Sequence, residues 1–475
     1  MKNFKSYFLI LLTCMSIFCF VSCQKNEPIV TKYKYVVNIA PVENGSVNVS
    51  CDGQVVLNGD SLMEGSSVLV TAVPNENYEL TSMNVSNPFA LSKDTTIRVV
   101  FSKNSFSFSV APVEGGIVKV SYRGTECQPG SIFSKGTYLT VEVLADDNHY
   151  FTGSNIAKGT GVRDSFKLVS DTIIRTTFET ITIPSQSAYH NVCNYNIRLY
   201  TTDDKDTKFW TNRKDKVFEM ILNHDMDLCG LEEMTLNQSP DFISNLSDYE
   251  YVGYGRDNGK ENSAGGTGEQ TGLIYKKTRY VKQDQGRFFL SNTPQKPSKI
   301  SGASFNRMVT WVKLKERNTD NVFYFFATHF DHPTTQQGIN TRSAEADIAL
   351  VQVPMIAGDS PLFFVGDFNC EPTEPAYLKL SAKWNDSFVE IGDGAEGGYV
   401  CNEQQQTSYP EACSEIGNTY TGLYSTSDKE PKRIDYVLYT ATIVDLLNYI
   451  ADNDNLGLVT YPSDHLPVIT KMEFK

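Results

Sequence analysis

Apolar and polar residues alternate over residues 35–180 of the chain, with glycine and asparagine where the alternation breaks. The runs Val68–Ala72 and Leu139–Val143 show this period of two, which is typical of a half-buried β-strand. The region is an internal duplication, because two of its stretches recur: Ala40–Val47 as Ala111–Val118, and Asp94–Phe101 as Asp171–Phe178. The pattern predicts two small all-β modules, at residues 35–103 and 104–180.

From about residue 185 strand-like apolar runs alternate with helix-like periodicity. Apolar runs typical of buried strands lie at residues 190–200, 227–233, 322–330 and 361–369. Helical faces are predicted from two sets of apolar residues: Val217, Phe218, Ile221 and Leu222, and Ala344, Ile348 and Val351. The sequence therefore predicts an α/β domain over residues 185–475, with polar residues where its strands end.

The first residues have the organisation of a secretory signal. Lys2 and Lys5 precede the apolar stretch Phe8–Val21, which is shorter than the about 20 residues that span a bilayer. Residues 1–22 resemble a bacterial lipoprotein signal peptide with Cys23 as the lipidated residue, and an ordinary signal peptide is the alternative. Residues 23–34 would be a linker. The predicted location is the cell envelope, with a lipid anchor in the outer membrane and the chain on its periplasmic or surface face.

Composition narrows the function classes. The chain has 42 basic and 56 acidic residues and a formal net charge of -14, so long-range attraction to a polyanion such as duplex DNA is not favoured, although a local basic patch stays open. No CxxC pair occurs, which excludes a zinc ribbon. Cys193, Cys229 and Cys370 are predicted to be buried thiols, whereas Cys401 and Cys413 flank a polar segment and are candidates for a disulfide.

Polar residues that carry chemistry cluster at the ends of the predicted strands. They are Asn196, Glu232, Glu233, His329, Asp331, His332, Asp367, Asn369, Asp435, Asp464 and His465. Charged groups at such positions are costly to desolvate unless they converge on a common partner. A divalent cation together with a phosphate would satisfy all of them, although an Asp-His pair at a strand edge is also a common structural feature.

The residue types indicate which cation and which reaction. Carboxylate and amide oxygens suit a hard cation such as Mg²⁺, Mn²⁺ or Ca²⁺ better than zinc. Such a cation stabilises the charge that develops during attack on phosphorus, and two histidines can accept and donate the proton. The chain has no Gly-x-Ser-x-Gly motif and no Walker loop, so a serine nucleophile or an NTP-driven motor is not supported.

Asn196 and the segments GLEE, THFDH, GDFN, RIDY and SDH, in this order, resemble the endonuclease/exonuclease/phosphatase superfamily over about residues 188–475. The resemblance implies an α+β four-layer sandwich, in which two stacked mixed β-sheets are flanked by helices. It also implies a divalent-metal-dependent phosphoric ester hydrolase. The two N-terminal modules resemble the internalin B-repeat of bacterial surface proteins.

The resemblance implies the metal ligands. Glu233 would be the principal ligand, and Asn196 and Asp464 would help to hold the metal. Glu232 stays an alternative to Glu233, because alternation along a strand lets only one of two neighbours point into the site.

The resemblance also implies the catalytic residues. Asp367 would orient or activate the attacking water, and Asn369 would be its partner at the transition state. His465, oriented by Asp435, and His329 would contact the scissile phosphate. Which of the two histidines is the acid and which is the base stays open.

The segment of residues 254–275 resembles a Gly-Arg-Asp-x-Gly…Gly-Glu stretch of secreted bacterial members of the superfamily. Arg256 would hold a substrate phosphate, with a loop salt bridge as the alternative. Glu269 would pair with His329 behind the site. Arg307 and Arg342 are further candidates for the phosphate, with surface ion pairs as the alternative, and Tyr420 is expected to pack in the wall of the site. Asp331 and His332 are predicted to support the site from behind.

The leading interpretation is hydrolysis of a phosphodiester or phosphomonoester by water. A small substrate such as a nucleotide, a sugar phosphate or a phospholipid head group fits the acidic chain. An extracellular DNA or RNA endonuclease stays open, as does a non-catalytic surface module whose repeats contact glycan or protein. A spacer between the membrane and the catalytic domain is the simplest role for the repeats.

Overall fold

The computed structural model describes residues 32–161, 163–182, 187–317, 319–392, 418–422, 432–440, 444–452, 456 and 461–475. These residues form two compact units that divide between Ser105 and Phe106. Cys23 and the Cys401/Cys413 pair lie outside the described residues, so the lipidation and the disulfide stay predictions. Within the described ranges, no helix is both long and apolar enough to cross a membrane.

The first repeat is a module of nine short strands. They are β1 (Lys34–Ile39), β2 (Gly45–Cys51), β3 (Gln54–Val56), β4 (Asp60–Met63), β5 (Ser67–Pro74), β6 (Tyr78–Met83), β7 (Phe89–Ala90), β8 (Thr95–Ile97) and β9 (Val99–Lys103). The strand orders are β4-β1-β8, β3-β2-β5-β7 and β6-β9. Strand β1 pairs in parallel with β8, and the alternate residues Val68 and Val70 of β5 lie in the buried core.

The second repeat has the same plan. Its strands are β10 (Ser105–Val110), β11 (Gly116–Tyr122), β12 (Thr125–Glu126), β13 (Ile132–Ser134), β14 (Tyr138–Ala145), β15 (His149–Ser154), β16 (Arg163–Lys167), β17 (Thr172–Ile174) and β18 (Thr176–Thr180). The orders β13-β10-β17, β12-β11-β14-β16 and β15-β18 repeat those of the first copy strand for strand. The duplicated sequence therefore gives one topology twice.

The rest of the second unit is a mixed α/β region. Its strands are β19 (Tyr189–Asn196), β20 (Leu228–Met234), β21 (Tyr249–Gly255), β22 (Gln270–Lys276), β23 (Tyr280–Phe289), β24 (Met308–Glu316), β25 (Val322–His329), β26 (Leu362–Asp367), β27 (Asn385–Asp386), β28 (Asp435–Tyr439), β29 (Val444–Ala451) and β30 (Val468–Phe474). Its helices are α1 (Trp210–Asn223), α2 (Ser239–Asn245), α3 (Gln336–Ala357), α4 (Pro375–Ser381) and α5 (Ser387–Gly392), with short 3₁₀ turns at Asp206–Lys208 and Asn262–Ala264.

Two six-stranded sheets stack on each other, and helices cover their outer faces. The sheet orders are β21-β22-β20-β19-β30-β29 and β23-β24-β25-β26-β28-β27. Because successive strand residues face opposite sides, Val192 points between the sheets while its neighbour Cys193 packs with α1 and α2. Helices α3 and α4 pack on the second sheet. This arrangement confirms the predicted four-layer sandwich.

Both helices predicted from apolar residues are present. Two of the residues that predicted them lie outside the buried faces, because Leu222 is 53% exposed and Val351 is 56% exposed. Helix α3 instead buries a stripe that runs through Arg342, Ala346 and Val353. An apolar-residue pattern misses this stripe, because its first part consists of polar side chains that bind the neighbouring loops. The predicted burial of Cys193, Cys229 and Cys370, by contrast, is confirmed.

The central strands of both sheets end at the same edge of the sandwich. Strands β19 and β20 are parallel neighbours in the first sheet, and β25 and β26 are parallel neighbours in the second. Their carboxyl ends, together with the start of β28 and the loop before β30, carry the polar residues of the candidate site. Backbone topology alone therefore places these residues near one another.

Candidate active site

The site is built around a buried pair, His465 and Asp435. The Nδ1 atom of His465 lies 2.8 Å from Oδ2 of Asp435, and the other carboxylate oxygen accepts a hydrogen bond from Nδ2 of Asn194 at 3.3 Å. The backbone N–H of Asp435 donates to the hydroxyl of Thr419. Asp435 therefore fixes the orientation of the imidazole and leaves its Nε2 atom facing the cleft.

Asp367, at the end of β26, lies between the two histidines. Its Oδ2 atom is 3.7 Å from Nε2 of His465 and 3.5 Å from Nε2 of His329, and it accepts a hydrogen bond from Nδ2 of Asn196 at 3.0 Å. The other oxygen accepts from the backbone N–H of Asn369, which has a φ of 50°. The side chain of Asn369 donates to the carbonyl of Phe330. The turn after β26 thus holds Asp367 in place.

The two histidines have opposite electrostatic surroundings. Burial alone would lower the pKa of His465, but the carboxylates of Asp435 and Asp367 outweigh it and raise that pKa well above its usual value. Burial, reinforced by Arg307 and Arg256, holds the pKa of His329 well below its usual value. These surroundings therefore favour the protonated form of His465 and the neutral form of His329.

A β-bulge decides which of the two adjacent glutamates enters the cleft. The pairing of β20 with β22 shifts register between Leu231 and Met234, and Glu233 has a φ of 61°. Glu233 lines the cleft and accepts hydrogen bonds from Nδ2 of Asn196 at 3.3 Å and from the backbone of Leu199 at 3.1 Å. Glu232 is fully buried and does not line the cleft.

The oxygen donors fit a hard divalent cation. Burial raises the pKa of Glu233, and the nearby carboxylates of Asp464 and Glu269 raise it further, because acidic groups crowd this wall. Oxygen atoms are the ligands that Mg²⁺, Mn²⁺ and Ca²⁺ prefer. Asp367, Asp435 and His465 also offer ligand atoms within 4.8 Å of one another. Glu233 and Asp464, two of the three ligands predicted from the sequence, line the same cleft and could hold such a cation.

Asn196 has a different environment from the one predicted for a ligand. Its amide nitrogen faces Glu233 and Asp367, while its Oδ1 atom accepts a hydrogen bond from the backbone N–H of Arg198 at 3.0 Å. In this arrangement Asn196 holds the two carboxylates in position and directs its oxygen away from them.

Arg198 is a site residue that the sequence reasoning missed. Its guanidinium donates to Asp464 at 2.8 Å and binds Asp204 through two hydrogen bonds of 2.7 Å. Its backbone has a φ of 55°, and its carbonyl accepts from the buried Arg213. The only signal in the sequence was a basic residue two positions after Asn196, at the end of a buried strand.

Cationic and aromatic groups form the opposite wall. Arg256 donates to Glu269 at 2.7 Å, which differs from the predicted pairing of Glu269 with His329, and its guanidinium lies 4.1 Å from the ring centre of Phe305. Arg307 is buried, with Nε 3.8 Å from Oδ1 of Asp331. The surface ion pair considered for Arg307 is therefore wrong. The same holds for Arg342, which is buried and donates to Glu374.

Asp331 lies behind this wall. Its carboxylate accepts a hydrogen bond from the backbone N–H of Ser304, and its own N–H donates to Glu345 at 2.9 Å. Burial raises the pKa of Glu345 to about 8. His332 is half-exposed and stacks on Phe305, with the ring centres 5.8 Å apart. Glu345 and Phe305 were both absent from the predicted set.

These groups surround one cleft with a volume of about 810 Å³. The candidates from the sequence that line it are Glu233, Arg256, Glu269, Arg307, His329, His332, Arg342, Asp367, Asn369, Asp464 and His465. Glu269 and His332 were predicted to lie behind the site, so for these two residues the prediction was wrong. Tyr420 lines it too, with its ring centre 5.1 Å from that of His465. Asn196, Asp331 and Asp435 support the lining residues from behind.

Comparison with known proteins identifies the family. The model of the endonuclease/exonuclease/phosphatase family matches residues 191–465. The chain belongs to this family. Its members hydrolyse phosphoesters and generally use divalent metals.

Individual relatives are more distant. A family protein of known structure from Bacteroides thetaiotaomicron is 26% identical, with a TM-score of 0.51 over 60% of this chain and 98% of that chain. A mannosyl-6-phosphatase from the same species is 26% identical, with a TM-score of 0.50 over 60% of this chain and 99% of that chain. An uncharacterized protein of Acanthamoeba polyphaga mimivirus is 26% identical over 193 residues, which are 38% of this chain and 67% of that protein.

Proposed function

We propose that the protein is a divalent-metal-dependent phosphoesterase that hydrolyses a small phosphoester by attack of water. The observation that carries the proposal is the hydrogen-bonded pair His465 and Asp435. The histidine of this pair lines one cleft together with Asp367, His329 and Glu233. Mg²⁺ is the first candidate cation, with Mn²⁺ or Ca²⁺ as alternatives. Glu233 and Asp464 would hold it, and it would supply Lewis-acid stabilisation of negative charge on phosphate oxygens.

The side chains of the cleft account for the remaining steps. His465 presents Nε2 to the scissile phosphate, and its charge stabilises the negative charge that grows on the phosphate oxygens. Burial raises the pKa of Asp367, which makes this carboxylate a better proton acceptor for an attacking water than an exposed one. Arg256 and Arg307 supply positive charge on the opposite wall, where a phosphate oxygen would find donors.

A small phosphomonoester is the substrate class that we propose. The net charge of -14 works against long-range attraction of a nucleic acid. The likeness to a mannosyl-6-phosphatase supports a phosphorylated sugar over a phosphodiester. An endonuclease would instead be expected to present a basic groove with stacking aromatic residues along it.

We also propose that the protein is secreted and anchored to the cell envelope through Cys23. The organisation of residues 1–23 supports this location. The two β modules, which resemble internalin B-repeats, would then act as a spacer between the anchor and the catalytic region. Binding of surface glycan or protein is the alternative role for the modules.

A substrate panel tests the proposal. Wild-type protein and His465→Ala are assayed with Mg²⁺ or Mn²⁺ on a hexose phosphate, a nucleoside monophosphate, a phosphodiester and plasmid DNA. We expect turnover of a small monoester that a chelator abolishes, and a loss of about 10³-fold in His465→Ala. His224→Ala is the matched control, because this histidine pairs with Asp452 outside the cleft. Equal rates in wild type and His465→Ala would refute the assignment, and nicking of plasmid DNA alone would favour an endonuclease.

A further inference from the structure

Phe305 is an exposed aromatic ring inside a cleft that is otherwise lined mainly by charged groups. It is 43% exposed, and among the described residues it is the one phenylalanine with more than about a third of its surface open to solvent. It lies between β23 and β24 and shares the cleft with His329 and Arg307. An exposed ring at this place is available to a substrate that occupies the cleft.

The neighbours of Phe305 hold the ring in place. The backbone N–H of Ser304 donates to Asp331 at 3.0 Å, and the side chain of Asn306 donates to the carbonyl of Arg256 at 3.1 Å. The guanidinium of Arg256 lies 4.1 Å from the ring centre, and Glu269 fixes that guanidinium. Hydrogen bonds of the residues before and after Phe305 thus restrict the motion of the ring, which lowers the entropic cost of stacking a ligand on it.

The surrounding groups indicate the chemistry of the ligand. The imidazole of His332 stacks against the ring of Phe305, with the ring centres 5.8 Å apart and the ring planes at 26°. Carboxylates of Glu269, Glu371 and Glu374 line the same cleft and can accept hydrogen bonds from hydroxyl groups. A ring that carries hydroxyl groups fits this mixture of an apolar aromatic surface and acidic acceptors. The volume of about 810 Å³ holds a phosphorylated monosaccharide.

We propose that Phe305 forms a stacking subsite for the sugar ring of a phosphorylated monosaccharide whose phosphate occupies the site of His465 and Asp367. This inference rests on the proposed phosphoesterase function and specifies the group that carries the phosphate. The hydrolysed bond joins phosphorus to the ester oxygen, and water supplies the hydroxyl to phosphorus and the proton to the released alcohol. Phe305 acts on specificity, because it contacts the ring and not the reacting atoms.

The test compares substrates with and without a ring. We measure kcat and KM for wild type, Phe305→Leu and Phe305→Trp on a hexose 6-phosphate, glycerol phosphate and a nucleoside 5′-monophosphate. Phe305→Leu keeps an apolar side chain without the ring, and Phe305→Trp keeps a ring. We expect Phe305→Leu to lose about tenfold in kcat/KM on the hexose phosphate, mostly through KM, and to stay within about twofold on glycerol phosphate. Phe305→Trp should retain the preference for the hexose phosphate.

Three outcomes would overturn the subsite. They are an equal loss on hexose phosphate and glycerol phosphate, no loss on either, or a loss confined to the nucleotide, which would indicate a base-binding surface. Thermal melting of each variant shows that folding is unchanged. Absence of metal-dependent turnover of all three substrates by the wild type would instead refute the proposed function, and the subsite with it.

Discussion

Replacement of Asp435 by asparagine tests the catalytic pair with little change of volume. The carboxylate lies 2.8 Å from Nδ1 of His465, and both groups are buried. A charge-assisted hydrogen bond of this kind contributes about 1.5–3 kcal/mol, which corresponds to about 10- to 150-fold in rate. The asparagine amide can also donate to Nδ1 and favour the wrong tautomer, which adds to the loss. We expect Asp435→Asn to lower kcat/KM by about 10³-fold.

The same substitution changes the pH dependence in a defined direction. Asp435 is the main group that raises the pKa of His465, against the lowering effect of burial. Without the carboxylate the pKa of His465 falls, so the limb of the pH–rate profile that reports loss of its proton moves to lower pH. The assay is kcat/KM from pH 5 to pH 9 at saturating Mg²⁺ on the best small monoester.

Two controls separate this effect from unfolding. Asp347→Asn removes a carboxylate from the exposed pair with Lys379, away from the cleft, and should leave the rate unchanged. The double variant Asp435→Asn/His465→Ala should be no slower than His465→Ala alone, because the two residues act as a unit. If Asp435→Asn keeps more than about a third of wild-type activity with an unshifted profile, the pairing has no catalytic role.

Three further predictions concern stability and location. Burial raises the pKa of Glu345 to about 8, so the folded protein holds this proton more tightly than the unfolded chain does. The free energy of unfolding should therefore fall as pH rises from about 4.5 to about 8. Glu345→Gln should remove this fall, so that its melting temperature changes less between pH 5 and pH 8 than that of the wild type; the same pH dependence in both proteins would contradict the prediction. Arg317 is buried and donates hydrogen bonds to backbone carbonyls of the second β module and of Lys277. Arg317→Ala should lower the free energy of unfolding in urea by about 3 kcal/mol or more. A decrease of less than about 1 kcal/mol would show that these hydrogen bonds are dispensable. Cys23→Ala should move the protein from the membrane fraction to the soluble fraction after cell fractionation, and unchanged membrane association would exclude lipidation at this residue.

Much of the fold was accessible from the sequence, because strand periodicity and strand-end polar residues are local properties. Asp367 and His329 follow apolar runs directly, so their position at the ends of β26 and β25 could be predicted. The internal duplication likewise predicted two small all-β modules, and the structure shows that both have the same strand order. Such patterns show which residues of a single segment are buried, and they show nothing about which other segments it contacts.

The rest of the site depends on geometry that a linear pattern does not contain. The bulge in β20 turns Glu233 and not Glu232 into the cleft, and only the pairing with β22 reveals it. Arg198 reaches Asp464 from a left-handed backbone conformation. Glu345 occupies the buried face of α3, which a search for apolar residues passes over. Each of these positions is set by long-range contacts.

The pairing of β19 with β30 joins the beginning of the α/β region to its end, with Tyr189 opposite Glu473. Asn196 comes from the first of these strands, and Asp464 and His465 come from the turn that leads into the second. Because β30 is synthesised after every other strand of the α/β region, a growing chain holds an incomplete cleft until this strand has left the ribosome. Any truncation that removes β30 would therefore abolish hydrolysis even though Glu233, His329 and Asp367 are still present.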